Sequence, residues 1–171
     1  MNQTTNFHDK EGIDKLKHLV AKINVCLFCT NLKTDDGSTC RQMSAQKVCD
    51  QGNIWFFSDV HSDKSREIKK DKHVRLFFSH PGKNSYLFVK GEAEIIIDKQ
   101  KTDELWTPLV ETWFKGGKDD PNISITKVKP ITAYYWNSDG NRMIDFLKMV
   151  ASVGNGGEFG NWKRRSFNGL M

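Results

Sequence analysis

The chain has 171 residues, 37% hydrophobic and 27% charged, with four cysteines and a formal net charge of +5. That size suits one compact domain over residues 1–171, able to bury about 70% of its unfolded surface, with flexible ends at 1–10 and 155–171. No apolar run approaches the roughly 20 residues of a membrane span and the first residues lack a signal-peptide core, so a cytoplasmic protein without a membrane partner is expected, with Cys26, Cys29, Cys40 and Cys49 as reduced thiols.

Ile13, Leu16, Leu19, Val20 and Ile23 recur at three- and four-residue spacing, the apolar face of a helix. From there the chain turns to strand residues. The segments 23–30, 38–48, 54–58, 74–80, 86–97 and 131–136 are rich in β-branched and aromatic side chains. Turn residues separate several of them: Thr34 to Ser38 and Asp50 to Asn53, both read as hairpin turns, and Pro81 to Asn84. Between the third and fourth strands, HSDKSREIKKDK begins with a capping Ser62 and reads as one short helix. Thr102 to Phe114 reads as helix with Pro108 breaking or restarting it, and a last helix is expected from Arg142 to Val153.

Six or more strands joined by hairpins, with few helices, point to a mainly β fold in which the sheet closes into a small antiparallel barrel and removes its own edges. In Tyr86 to Ile97, Leu87, Val89, Gly91, Ala93, Ile95 and Ile97 share one face and suit the barrel interior. The opposite face carries Tyr86, Phe88, Lys90, Glu92 and Glu94, which suits a ligand groove or a subunit contact.

The excess positive charge gathers between Arg66 and Arg75 and in the tail Lys163 to Arg165, where it reads first as a solvated helix face and a terminus. Binding of single-stranded nucleic acid through that charge and the exposed aromatics is the weakest of the functional readings. No metal site is expected. Cys26 and Cys29 lie on a strand at an odd separation, which points them to opposite faces, and no second pair completes a zinc set. The five histidines are scattered without helical pairing.

The order of these segments resembles the pyridoxamine 5′-phosphate oxidase-like split barrels that bind FMN. It runs from Arg41-Gln42-Met43 on the second strand, through IWFFSD on the third and HSDKSREIKKDKHVRLFF from helix to fourth strand, to YLFVKGEAEII on the fifth. ELWTPLVETWFKGGKDDP and ITAYYWN are similar to the general stress protein 26 branch. The resemblance implies a six- to seven-stranded antiparallel split β-barrel with peripheral helices and a homodimer with FMN at its interface. It also implies that Arg41, Ser58 and Lys64 contact the flavin phosphate or ribityl chain. A phosphate dianion needs converging cations and donors, and Lys64 sits in the first turn of a helix, where free N–H groups favour an anion.

By the same resemblance, Met43 and Ser44 run along the pyrimidine edge of the ring, Phe57 flanks it, and Trp106, Trp113 and Phe114 approach from the second subunit. Tyr86 stands where the family often carries glutamine. A phenol cannot offer an amide's paired donor and acceptor. The family's C-terminal substrate-binding element is also missing, which argues against classical pyridoxamine 5′-phosphate oxidase activity. Two functions follow: an FMN-dependent oxidoreductase in which flavin N5 exchanges hydride with an unidentified small substrate, and a non-catalytic protein that binds or sequesters FMN during stress.

Overall fold

The computed structural model describes residues 10–33, 37–80, 82 and 85–136, and the backbone of 137 and 140–148. The elements run α1 (Lys10–Lys22), β1 (Val25–Thr30), β2 (Thr39–Val48), β3 (Ile54–Asp59), α2 (Asp63–Lys70), β4 (His73–His80), β5 (Ser85–Ile96), α3 (Lys99–Leu105), α4 (Pro108–Glu111), β6 (Ile123–Asn137) and β7 (Gly140–Lys148). The sheet order β3-β2-β1-β4-β5-β6 closes on itself because β3 also pairs with β6, and β7 adds outside the ring on β6. All pairings are antiparallel. The small antiparallel barrel expected from alternation and turns, and the mainly β split barrel that the resemblance implies, are the observed architecture.

Strand alternation sorts the side chains as expected. Cys26 and Phe28 of β1, Ala45 of β2, Ile54 and Phe56 of β3, Val74, Leu76 and Phe78 of β4, and Leu87, Val89 and Ala93 of β5 fill the interior. The apolar face of α1 joins the same core through Leu16, Leu19 and Val20. A second core lies on the outer side of β3 and β6, where Trp55, Phe57, Ile123 and Ile125 pack under Leu105 and Val110. Gly91 sits at a register shift between β5 and β6. A Cβ there would lie 2.6 Å from the Lys129 carbonyl oxygen, so only glycine lets the two strands approach this closely.

The structure departs from the sequence reading in several places. Residues 142–148 of the helix expected from Arg142 to Val153 belong to strand β7, because the second half of β6 offers an open edge and pairing along it overrides helix propensity; residues 149–153 lie outside the described residues. The expected strand at 131–136 begins eight residues earlier, at Ile123. Ile97 is 71% exposed just beyond the end of β5 rather than inside the barrel. The helix at 102–114 divides into α3 and α4, with Pro108 at the start of α4, where its missing N–H costs nothing.

The cysteines also divide. Register places Cys29 directly opposite Cys40, with Cα atoms 4.1 Å apart, and the two are joined as a disulfide instead of remaining thiols. Cys26 and Cys49 are free.

Candidate functional site

The interior turns polar at one end of the barrel. Ser58 of β3 and Thr126 of β6 project inward, both buried, and their hydroxyl oxygens are 2.6 Å apart. Lys64 enters from the first turn of α2, which is set by Ser62 at its N-cap accepting the Ser65 N–H. Its ammonium donates to the Ser58 hydroxyl, lies 3.2 Å from the Met43 sulfur and sits 5.5 Å from the centre of the Phe28 ring.

Lys64 is only 4% exposed, and no carboxylate pairs with it among the described residues. Burial, reinforced by the Arg41 charge, pulls its pKa from 10.5 down to about 7. An ammonium in such a place is costly unless an anion joins it. A buried ammonium beside the Ser58 and Thr126 hydroxyls could receive an oxyanion.

Arg41 lies beside this group but is already engaged. Its guanidinium donates to Glu67 at 2.7 Å and to the Thr30 hydroxyl at 3.0 Å, and Thr30 in turn hydrogen-bonds Glu67. Burial pushes the Glu67 carboxyl up, but the Thr30 and Arg41 hydrogen bonds outweigh it and hold the group below the usual range. Arg41 therefore reaches the receptor as a nearby fixed charge within an ion pair rather than as a free fork.

With this geometry in hand, comparison with known proteins is decisive for the family. The family model described as pyridoxamine 5′-phosphate oxidase like matches residues 11–159. The chain belongs to the pyridoxamine 5′-phosphate oxidase-like family. General stress protein 26 of Bacillus subtilis is 31% identical over 80 residues, covering 45% of this chain and 56% of that protein. Protein bli-3 of Neurospora crassa is 27% identical over 112 residues, 61% of this chain and 52% of that one. The chain thus spans about half the length of the curated relatives it matches. The general stress FMN/FAD binding protein from Xanthomonas citri superimposes with a TM-score of 0.64 at 25% identity, over 86% of this chain and 100% of that one. A protein related to general stress protein 26 from Clostridium acetobutylicum shares the fold at TM-score 0.65 and 20% identity, over 80% and 96% of the two chains.

Within this pyridoxamine 5′-phosphate oxidase-like barrel, the residues singled out from sequence fall in separate places. Arg41, Met43, Ser58 and Lys64 come together at the polar barrel end. Phe57 points the opposite way from Ser58 and meets Trp106 edge-on at 5.7 Å and Phe114 at 6.0 Å, inside the second core. Trp113, beyond α4, is 47% exposed. Ser44 pairs across from Val25 on the outer side of β2, with its carbonyl accepting from the Gln46 amide at 2.9 Å. Tyr86 is 45% exposed on the outer face of β5.

Sequence reasoning missed Thr30, Glu67 and Thr126. Glu67 was detectable as the residue three positions after Lys64 in a helix. Thr126 was detectable from the alternation of Ile123-Ser124-Ile125-Thr126, but its apolar residues face the second core and its polar ones face inward, the reverse of the usual assignment.

Proposed function

We propose that this chain is an FMN-dependent oxidoreductase working as a homodimer, with the flavin phosphate held at the polar barrel end. The observation that carries the reading is Lys64, buried and lacking an anionic partner among the described residues. Lys64 and Ser58 would hold the phosphate, Arg41 would add its field through the Glu67 pair, and Met43 would line the approach. When bound, FMN supplies an N5 position that exchanges hydride with a substrate. The chain's own part is to bind, to exclude water and to fix orientation. The FMN/FAD binding relative from Xanthomonas citri supports a flavin, and the anion receptor favours one bearing a phosphate.

A second copy of the chain is the proposed partner. Leu27, Phe77, Phe88 and Tyr134 form one continuous outward row across β1, β4, β5 and β6 through the registers Leu27–Phe77, Phe77–Phe88 and Phe88–Tyr134. Phe77 stacks on Phe88 at 4.6 Å, and Leu27 and Phe77 are 52% and 44% exposed. An apolar row along a sheet face, with Tyr86 beside it, suits an isologous twofold contact. Ser44, Tyr86 and Trp113, which lie off the barrel end, would then contribute to a site completed by the partner.

Reconstitution tests the reading directly. The protein should bind FMN at least about tenfold more tightly than riboflavin, which lacks the phosphate. Equal affinity for the two would remove the phosphate receptor. Stopped-flow mixing of the FMN complex with NADH or NADPH then separates an oxidoreductase, in which reduction outpaces that of free FMN, from a protein that only binds flavin.

A further inference from the structure

Away from that cluster, the turn between β2 and β3 holds a thiol in a distinct setting. The Cys49 N–H donates to the Asn53 carbonyl at 3.0 Å, and its own carbonyl accepts from the Gly52 N–H at 2.9 Å. Gly52 closes the turn at a φ of 82°. Cys49 is half-buried and lines a cavity of about 600 Å³ between α1, β2 and α3. The charged groups facing it are Lys17 from α1, Lys47 from β2, Asp50 from the turn, and Lys101 and Glu104 from α3. They pair as Lys17–Asp50, Lys47–Glu104 and Lys101–Glu104, so three ammonium groups meet two carboxylates and the thiol sits in a slightly positive field.

The second observation is Trp55. Its side chain is nine-tenths buried, and its indole nitrogen is shut off from solvent without a hydrogen-bond acceptor at bonding geometry among the described residues. Cys49, just beyond the Val48–Ile54 pair of the β2–β3 ladder, packs against the core that holds Trp55 and is the sulfur next to this donor. A neutral thiol sulfur is a poor acceptor, so the donor is left unsatisfied, and a buried donor without an acceptor is costly. A sulfur that carries negative charge or an added oxygen would satisfy it.

We propose that Cys49 is a peroxide-reactive thiol whose sulfenic acid is received by the indole N–H of Trp55. The thiolate attacks one oxygen of a hydroperoxide; the S–O bond forms as the O–O bond breaks. Two electrons pass from sulfur to the peroxide, and the departing hydroxide or alkoxide takes a proton from water. The cavity admits the peroxide from solvent. The new oxygen gives the buried indole the acceptor it lacks. Burial alone would push the Cys49 thiol up, but the N–H groups of Gln51, Trp55 and Asn53 together outweigh that and hold it below its ordinary value. Cys26 serves as an internal contrast, since burial in the main core pushes it to about 12.

The full chain, purified without reductant and treated with dilute hydrogen peroxide in the presence of dimedone, tests this by peptide mass spectrometry. Cys49 should be labelled at least about tenfold faster than Cys26. Trp55→Phe keeps the ring and removes the donor, so labelling of Cys49 should slow by about fivefold, the loss of one hydrogen bond. Because Trp55 also packs in the second core, the unaltered protein provides an independent measurement. The rate of Cys49 alkylation by iodoacetamide should have its pH midpoint below 9.0, the ordinary thiol value. Equal labelling of the two cysteines, or a midpoint at or above that value, overturns the proposal. A folded Trp55→Phe protein that reacts at the unaltered rate overturns the role of the indole.

Discussion

Replacing Lys64 with methionine separates what this side chain costs the fold from what it does for a ligand. In the ligand-free protein its pKa is lowered from 10.5 to about 7, first by burial and then by Arg41. At about 1.4 kcal/mol for each tenfold change in proton affinity, the charged form is disfavoured by about 5 kcal/mol. The unfolded chain keeps this proton up to about pH 10.5 and the folded chain only to about pH 7. Stability contributed here therefore rises with pH between those values, and the full penalty is present below pH 7.

Methionine has a similar reach and no charge, and relaxation around the ammonium offsets part of the cost. Lys64→Met should therefore stabilise the flavin-free protein by about 2–4 kcal/mol at pH 6. With a urea slope of about 2 kcal/mol per molar, that is an increase of about 1–2 M in the unfolding midpoint. The gain should shrink clearly at pH 9.5, where the unaltered lysine is already neutral in the fold. The same variant should lose FMN affinity by at least about 100-fold, since a charge-assisted contact to a dianion disappears. Urea titrations followed by tryptophan fluorescence at the two pH values measure the first effect, and flavin fluorescence quenching the second. An unchanged or lower midpoint at pH 6, or an equal gain at both pH values, would refute the uncompensated charge.

Further outcomes follow from the same structure. A bound phosphate should keep Lys64 protonated, so binding above pH 7 takes up a proton and FMN affinity should fall by nearly tenfold per pH unit between 7 and 9; Lys64→Arg should flatten that dependence, and calorimetry in buffers of different ionisation enthalpy would count the proton. Gly91→Ala brings a Cβ against the Lys129 carbonyl at 2.6 Å and the Val128 side chain at 3.0 Å, and should cost about 2–3 kcal/mol in denaturant titrations. Phe77→Glu places a charge in the middle of the outward apolar row and should yield monomers in sedimentation equilibrium; a dimer that survives unchanged would move the subunit contact elsewhere.

Alternation made the barrel legible from sequence, because one face of each strand must be buried and a one-residue slip would expose it. Leu87, Val89, Gly91 and Ala93 were placed inside on that basis and are inside. β7 was not legible in this way. Residues 142–148 carry good helix formers, and what decides their state is the open edge of β6, supplied by a neighbour rather than by the segment itself. The Cys29–Cys40 bond was hidden for a related reason, since it depends on register across the hairpin, whereas compartment reasoning concerns only the surroundings. At the site, Lys64 was selected for its place at a helix start, and its burial among Ser58, Met43 and Phe28 gave that choice its physical content. Phe57 and Ser58 were both assigned to the flavin site by resemblance, although adjacent strand residues face opposite sides.

The polar barrel end also bears on stability against function. Ser58, Thr126, Thr30, Arg41, Glu67 and Lys64 occupy interior or part-buried positions where apolar residues of similar volume would pack without requiring any partner. Each makes a side-chain hydrogen bond: Lys64 donates to Ser58, Ser58 bonds Thr126, and Thr30, Arg41 and Glu67 satisfy one another. Lys64 alone has a charge left over, with a hydroxyl, a thioether and a ring face for neighbours. A network built only for specificity of packing would close on itself, as the Thr30–Arg41–Glu67 triad does. One that stops at a single buried cation is complete only with an anion, and that asymmetry favours a phosphate-bearing ligand over a purely structural role.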